Sequence, residues 1–137
     1  MPGTCEATRM SDFTLKNLME IDNALEGRTT DVEARFSRNH IESEHLGVSH
    51  FRYLPNFRSP VGHRHREQEE AYVVVNGSGR ARLGDEVVEL KQWDVLRVAP
   101  QVVRTFESGP DGMELLAIGS DRPEGGDGEM VEVDWQD

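Results

Sequence analysis

The chain has 137 residues, 36% hydrophobic and 30% charged, with a formal net charge of −11. That length holds one domain burying roughly 70% of its unfolded surface, and the single cysteine, Cys5, excludes an internal disulfide framework and a cysteine-rich zinc site. The acidic balance argues against a nucleic-acid binder, no apolar run approaches the ~20 residues of a membrane span, and the first residues lack a basic end followed by an apolar stretch, so a cytoplasmic protein is expected.

In chain order, residues 1–12 read as a polar, disordered tail. Phe13 to Leu15 suits a short strand and Leu18 to Leu25 a turn of helix, followed by a break at Gly27 to Thr30. From Asp31 onward the signals are almost all β. Candidate strands are Val32 to Phe36, Gly47 to Leu54, and Glu70 to Asn76, which holds the run Tyr72-Val73-Val74-Val75. Gly77-Ser78-Gly79 reads as a hairpin turn into Arg80 to Leu83, and Gly84-Asp85 as a second turn into Glu86 to Leu90. Asp94 to Val98, Val102 to Glu107 and Met113 to Ile118 follow, separated by breaks at Ala99-Pro100-Gln101 and at Ser108 to Gly112. Residues 121–137 hold seven acids and one base, Arg122, which reads as a solvated acidic tail; the alternation in Glu129 to Trp135 offers an edge strand as the alternative. Short strands with a turn every 8 to 12 residues and no long amphipathic helix predict an all-β sandwich or barrel.

One segment carries chemistry: Gly62-His63-Arg64-His65-Arg66-Glu67-Gln68-Glu69-Glu70-Ala71-Tyr72. In extended backbone, side chains alternate with period two, so His63 and His65 share a face. A carboxylate at the start of the next strand closes a third side. Two imidazoles and one carboxylate leave positions open on a divalent metal. Arg64, Arg66, Glu67 and Gln68 read as surface residues, and His40 and His45 as loop residues. His50 and Arg52 share a strand face whose direction, into the barrel or to solvent, stays open. Tyr72 and Val74 share the face of Glu70 and are placed at the pocket wall; Trp93 and Phe106 are placed in the core.

The spacing His63, His65, four residues, Glu70, six residues, Gly77 resembles the first motif of the cupin superfamily, in the single-domain, type-2-like form. The match to Gly77 selects Glu70 over Glu69. The motif's opening glycine falls on Phe57. The family's second motif is degenerate here: Trp93, Ala99, Gln101, Arg104 and Ser108 stand where the family has Gly, Pro, Gly, His and Asn. The resemblance spans about residues 46–119. It implies a double-stranded β-helix, the jelly-roll cupin barrel, over residues 13–120 after a short N-terminal arm. It also implies a metal site on His63, His65 and Glu70 and pairing into a homodimer, with Phe13 to Leu15 as a candidate exchanged strand.

Arg104 stands where the family has a fourth ligand, and a guanidinium cannot ligate. Two readings stay open. Either a divalent metal (iron, nickel, manganese or zinc) sits on the three remaining ligands with Arg104 aimed at a bound anion, or Arg104 pairs with Glu70 in a metal-free pocket. Arg104 and Tyr72 are the expected contacts to a small anionic molecule. The functional expectation is a small-molecule-binding cupin that holds a divalent metal through two histidines and one glutamate. The alternatives are a metal-dependent dioxygenase or isomerase acting on a small anionic substrate, and a non-catalytic accessory protein with a vestigial site.

Overall fold

The structure, a computed structural model, describes residues 8–10 and 12–136; Cys5 and most of the expected N-terminal tail lie outside the described residues. Thr8–Met10 (β1) pairs antiparallel with Phe13–Leu15 (β2) in a two-stranded sheet of its own. A single 3-10 turn follows at Leu18–Glu20, capped by the Asn17 side chain accepting from the Met19 N–H. The segment behind it docks on Val32–Phe36 (β3). Asn23 Oδ1 accepts from the backbone N–H groups of Leu25 and Ala34, and Arg35 Nε donates to the Ile21 carbonyl.

The barrel is an eight-stranded antiparallel system made of β3, Gly47–Tyr53 (β4), Val61–His65 (β5), Glu70–Leu83 (β6), Glu86–Leu90 (β7), Val95–Val98 (β8), Arg104–Gly119 (β9) and Gly128–Glu132 (β10). Two of these, β6 and β9, are long enough to serve both sheets. Their first and last halves pair with each other, Glu70 opposite Gly119 and Leu83 opposite Arg104. One sheet then reads β3-β4-β9-β6-β8, and the other β10-β5-β9-β6-β7.

This corrects two expected breaks. Gly77-Ser78-Gly79 is not a hairpin turn, and Ser108 to Gly112 does not end a strand. Both stretches stay in the ladder and bend it, with register shifts between Val74 and Asn76 and between Gly77 and Gly79. Extra residues of this kind bend a strand and raise its twist. Gly77 and Gly112 take φ of 76° and 80°, and a Cβ on Gly77 would stand 2.1 Å from the Gly112 carbonyl oxygen. Only glycine permits both the conformation and the approach.

Inward-facing Tyr72, Val74, Ala81, Phe106, Met113, Leu115 and Ala117 form the core. Trp93 does not join it. That residue is 67% exposed, with φ of 74°, in the turn before β8. It fills the place of a motif glycine, and the backbone there has kept the glycine conformation.

The acidic C-terminus is part of the barrel. β10 pairs with β5 along its whole length, Gly128 opposite His65 and Glu132 opposite Val61. Beyond it Trp135 is buried, donating from Nε1 to the Ser59 carbonyl, with the Arg58 guanidinium 4.8 Å from its ring centroid.

Candidate metal centre

His63 and His65 project from the same face of β5, their rings 5.1 Å apart and at 89° to each other. Glu70 opens β6, and the turn between the strands brings its carboxylate back to both imidazoles. Glu70 Oε1 lies 3.2 Å from His63 Nε2 and 3.3 Å from His65 Nε2. One ligand atom from each residue falls within 4.8 Å of the others. A first-row dication with bonds of ~2.1 Å holds adjacent ligand atoms about 3.0–3.4 Å apart, so the cluster is already near coordinating geometry.

The donor set fits such an ion on further grounds. Asp127, with no exposed side-chain surface, lies 2.9 Å from His65 Nδ1 and also accepts the backbone N–H groups of Glu67 and Gln68. Burial raises the Asp127 pKa, but those hydrogen bonds outweigh it and hold the carboxyl below its ordinary value. The ionised carboxylate requires Nδ1 to carry the proton, which turns His65 Nε2 toward the cavity and Glu70; the Glu70 and Asp127 carboxylates together raise the His65 pKa against the effect of burial. That Nε2 is buried and has no hydrogen-bond partner. A carboxylate behind a ligating imidazole is the arrangement that fixes tautomer and ring direction at metal sites.

Burial opposes the charge on Glu70. Contacts with His63, His65 and Tyr72 overcome it and hold the carboxyl far below the usual range, so it is an anionic ligand at neutral pH. Tyr72 is 2% exposed and its hydroxyl donates to Glu70 Oε1; burial, then the Glu70 charge, pushes the phenol well above its ordinary value. The side chain therefore stays a neutral donor at the cavity wall.

Arg104 is fully buried and directly opposite His63 across the β5–β9 ladder. Its terminal nitrogens face backbone carbonyls: Nη1 toward Pro100 (3.2 Å) and His63 (3.5 Å), Nη2 toward Ala99 (3.3 Å) and Val98 (3.5 Å). Nε makes no hydrogen bond and lies 3.8 Å from Glu70 Oε1. Arg104 thus fastens the loop after β8 to β5 and sets a permanent positive charge beneath Glu70. It is not among the residues lining the cavity, whereas Tyr72 is.

The cavity above the cluster has a volume of about 520 Å³, within the range of small-molecule sites. Its wall combines apolar side chains, among them Leu25, Phe36, Phe51 and Met130, with Arg38, His40, Gln68 and Arg122. Gln68, expected at the surface, is 6% exposed and donates from Nε2 to the Ser120 carbonyl. His40, expected as a loop residue, lines the cavity with Nδ1 buried and without a partner. His50 and Arg52 lie on the outer side of β4, where His50 Nε2 meets Glu114 at 2.6 Å. No signal within the acidic run singled out Asp127, because its register opposite β5 exists only once the barrel has closed.

No protein-family model matches the chain, and no curated protein matches it in sequence. Solved structures do match. A cupin protein from Bacteroides fragilis superposes with a TM-score of 0.67 at 20% identity, over 83% of this chain and 88% of that one. The polyketide cyclase RemF from Streptomyces resistomycificus gives a TM-score of 0.66 at 17% identity, over 86% and 83%. An oxalate decarboxylase variant from Bacillus subtilis gives 0.72 at 20% identity, over 93% of this chain and 34% of the longer enzyme. The chain is a cupin-type barrel, a double-stranded β-helix with a His-His-Glu cluster suited to a metal ion inside it.

Proposed function

We propose that the protein binds a small organic molecule in the barrel cavity, over a first-row divalent cation held by His63, His65 and Glu70. The observation that carries this is the orphaned, buried Nε2 of His65, aimed at Glu70 by Asp127. When bound, the ion supplies a Lewis acid with open positions. The chain's own residues do the rest. Asp127 fixes the His65 ring, Tyr72 offers a neutral hydroxyl beside the ligand oxygens, and the apolar wall keeps water from the ligand's body. Arg104 acts through Glu70 and the loop after β8.

A metal-dependent enzyme is the second reading, favoured by the three-ligand set with Tyr72 as the neighbouring proton donor. Fold neighbours that include a cyclase and a decarboxylase are compatible with it, but a shared fold does not assign a reaction.

A homodimer also belongs to this reading. The outer face of β4-β9-β6-β8 carries Val48, Ile118, Leu116, Val73 and Val95 in adjoining strands, with Ile118 41% and Val95 67% exposed. Arg35, Arg52, Glu33 and Glu114 flank that strip with both signs of charge, which suits a second copy of the same face. Light scattering is expected to give twice 15.5 kDa; a monomer removes this part of the reading.

Elemental analysis after equilibration with manganese, iron, nickel or zinc tests the centre. About one ion per chain is expected in the native protein, and His63→Ala and Glu70→Gln are each expected to abolish it. Equal metal content in all three proteins means the ligands are elsewhere.

A further inference from the structure

Glu70, Gly119 and Gly47 lie in one row across the sheet, since Gly119 is the register partner of both Glu70 on β6 and Gly47 on β4. Both glycines leave room for a polar side chain laid on the backbone. The Gln68 amide lies over Gly119, its Nε2 2.5 Å from where a Cβ would stand. The Arg38 guanidinium lies over Gly47, with Nε and Nη2 both 3.1 Å from the equivalent point. Neighbouring strands are ~4.8 Å apart, which sets Arg38 about 10 Å along the sheet from the Glu70 backbone. Arg38 is anchored by Nη2 donating to the Ser120 carbonyl at 2.9 Å, which leaves its other donors available.

Arg122 lines the same cavity, and no hydrogen bond or ion pair holds it among the described residues. Burial, followed by the neighbouring Arg122 charge, lowers the Arg38 pKa from its ordinary value, while Asp121 opposes this. The two guanidiniums thus line one cavity with like charge. His40 adds a buried Nδ1 without a partner on the same wall. The lining these cations share with the metal cluster includes the apolar side chains Phe36, Phe51, Ala117 and Met130, with Ser49 and the Gln68 amide on the same wall.

We infer that Arg38 and Arg122 form the recognition site for the anionic end of the ligand, and that the ligand is an amphipathic carboxylate whose apolar body lies on Phe36 and Phe51 toward the metal cluster. Two guanidinium forks pair with a carboxylate, and the repulsion between them falls when it binds. Asp121, which also meets His45 Nδ1 at 2.9 Å, offsets one of the two charges, so a monoanion fits better than a dianion. The inference deepens the proposed small-molecule site and rests on that reading for the use of the cavity, but not for the metal. It also moves anion recognition from Arg104, whose donors face carbonyls, to the cavity wall.

Titration calorimetry with octanoate and 1-octanol tests it, on metal-free protein and on protein loaded with zinc. Octanoate is expected to bind at least about tenfold more tightly than octanol in both forms. Arg122→Gln, at an exposed residue with no partner among the described residues, is expected to erase most of that preference while leaving the melting temperature and zinc content unchanged. Arg38→Gln is expected to act in the same direction. Absence of octanoate binding overturns the inference, as does equal binding of acid and alcohol, or a preference that survives both substitutions. Octanoate binding that needs zinc and ignores both arginines places the anion on the metal and also overturns it. Failure to take up zinc, with the arginine-dependent preference intact, instead removes the metal reading alone.

Discussion

Arg104 shows what a single buried cation does when it stands at a ligand position. It cannot lose its charge, so folding must surround it with acceptors. The chain supplies four carbonyls from His63, Val98, Ala99 and Pro100, and places Glu70 3.8 Å from Nε. The two sequence readings of Arg104, pairing with Glu70 or facing a ligand, both looked for a carboxylate. Neither considered backbone carbonyls, because a loop's path over a side chain leaves no trace in residue types. Arg104→Met leaves those carbonyls and Glu70 without their partner. It is expected to lower stability by about 3–5 kcal/mol, the range for removing one member of a buried charge pair, as read by urea denaturation. A loss under about 1 kcal/mol, the scale of an exposed pair, contradicts the geometry.

At the scale of elements, β5 and β10 make the site together. β5 carries His63 and His65, and the residue just before β10, Asp127, orients His65. Asp127→Asn keeps an acceptor for the Glu67 and Gln68 N–H groups but loses the charge facing Nδ1. Metal affinity is expected to fall about 10- to 100-fold, measured by competition with a chromophoric chelator, with the circular dichroism spectrum unchanged. Unaltered affinity means Asp127 only closes the turn.

The strands from Val32 to Phe36 and from Glu86 to Leu90 were legible to the residue, since alternation between turn signals marks them. The continuity of β6 and β9 was not. Glycine runs that signal a turn locally are held in the ladder here by the opposite strand, Gly77 opposite Met113 and Gly79 opposite Ser108, pairings far apart in the sequence. His63, His65 and Glu70 were legible because their spacing is local. Asp127, Arg38 and Arg122 were not, because they reach the site only through the register of β5 with β10 and of β4 with β9.

Across the whole molecule the acidic excess is organised by ion pairs. Glu107 is held between Arg58 and Arg80, which also flank the buried Trp135 ring, and this cluster ties the C-terminal segment to the barrel. Burial raises the Glu107 pKa, but the hydrogen bonds from both arginines prevail and lower it; the Glu114 pKa is also lowered, burial again being overcome by His50 and Arg52. A carboxyl whose folded pKa is depressed contributes stability above its unfolded value of ~4.3, and that contribution is lost as pH falls through the folded value. Thermal midpoints are therefore expected to drop as pH falls from about 5 toward 3. Glu107→Gln is expected to lower the midpoint at pH 7 and to flatten that dependence. An equally steep acid limb in the variant would show that Glu107 gains nothing from its arginines.

The central claim is that His63, His65 and Glu70 hold one divalent ion beneath the cavity. Anomalous diffraction from crystals of the zinc-loaded protein, recorded on both sides of the zinc edge, tests it most directly. The expected result is one strong peak per chain between His63 Nε2, His65 Nε2 and the Glu70 carboxylate, absent from Glu70→Gln crystals. A fully loaded crystal with its peak elsewhere, or a peak that persists in Glu70→Gln, would contradict the account.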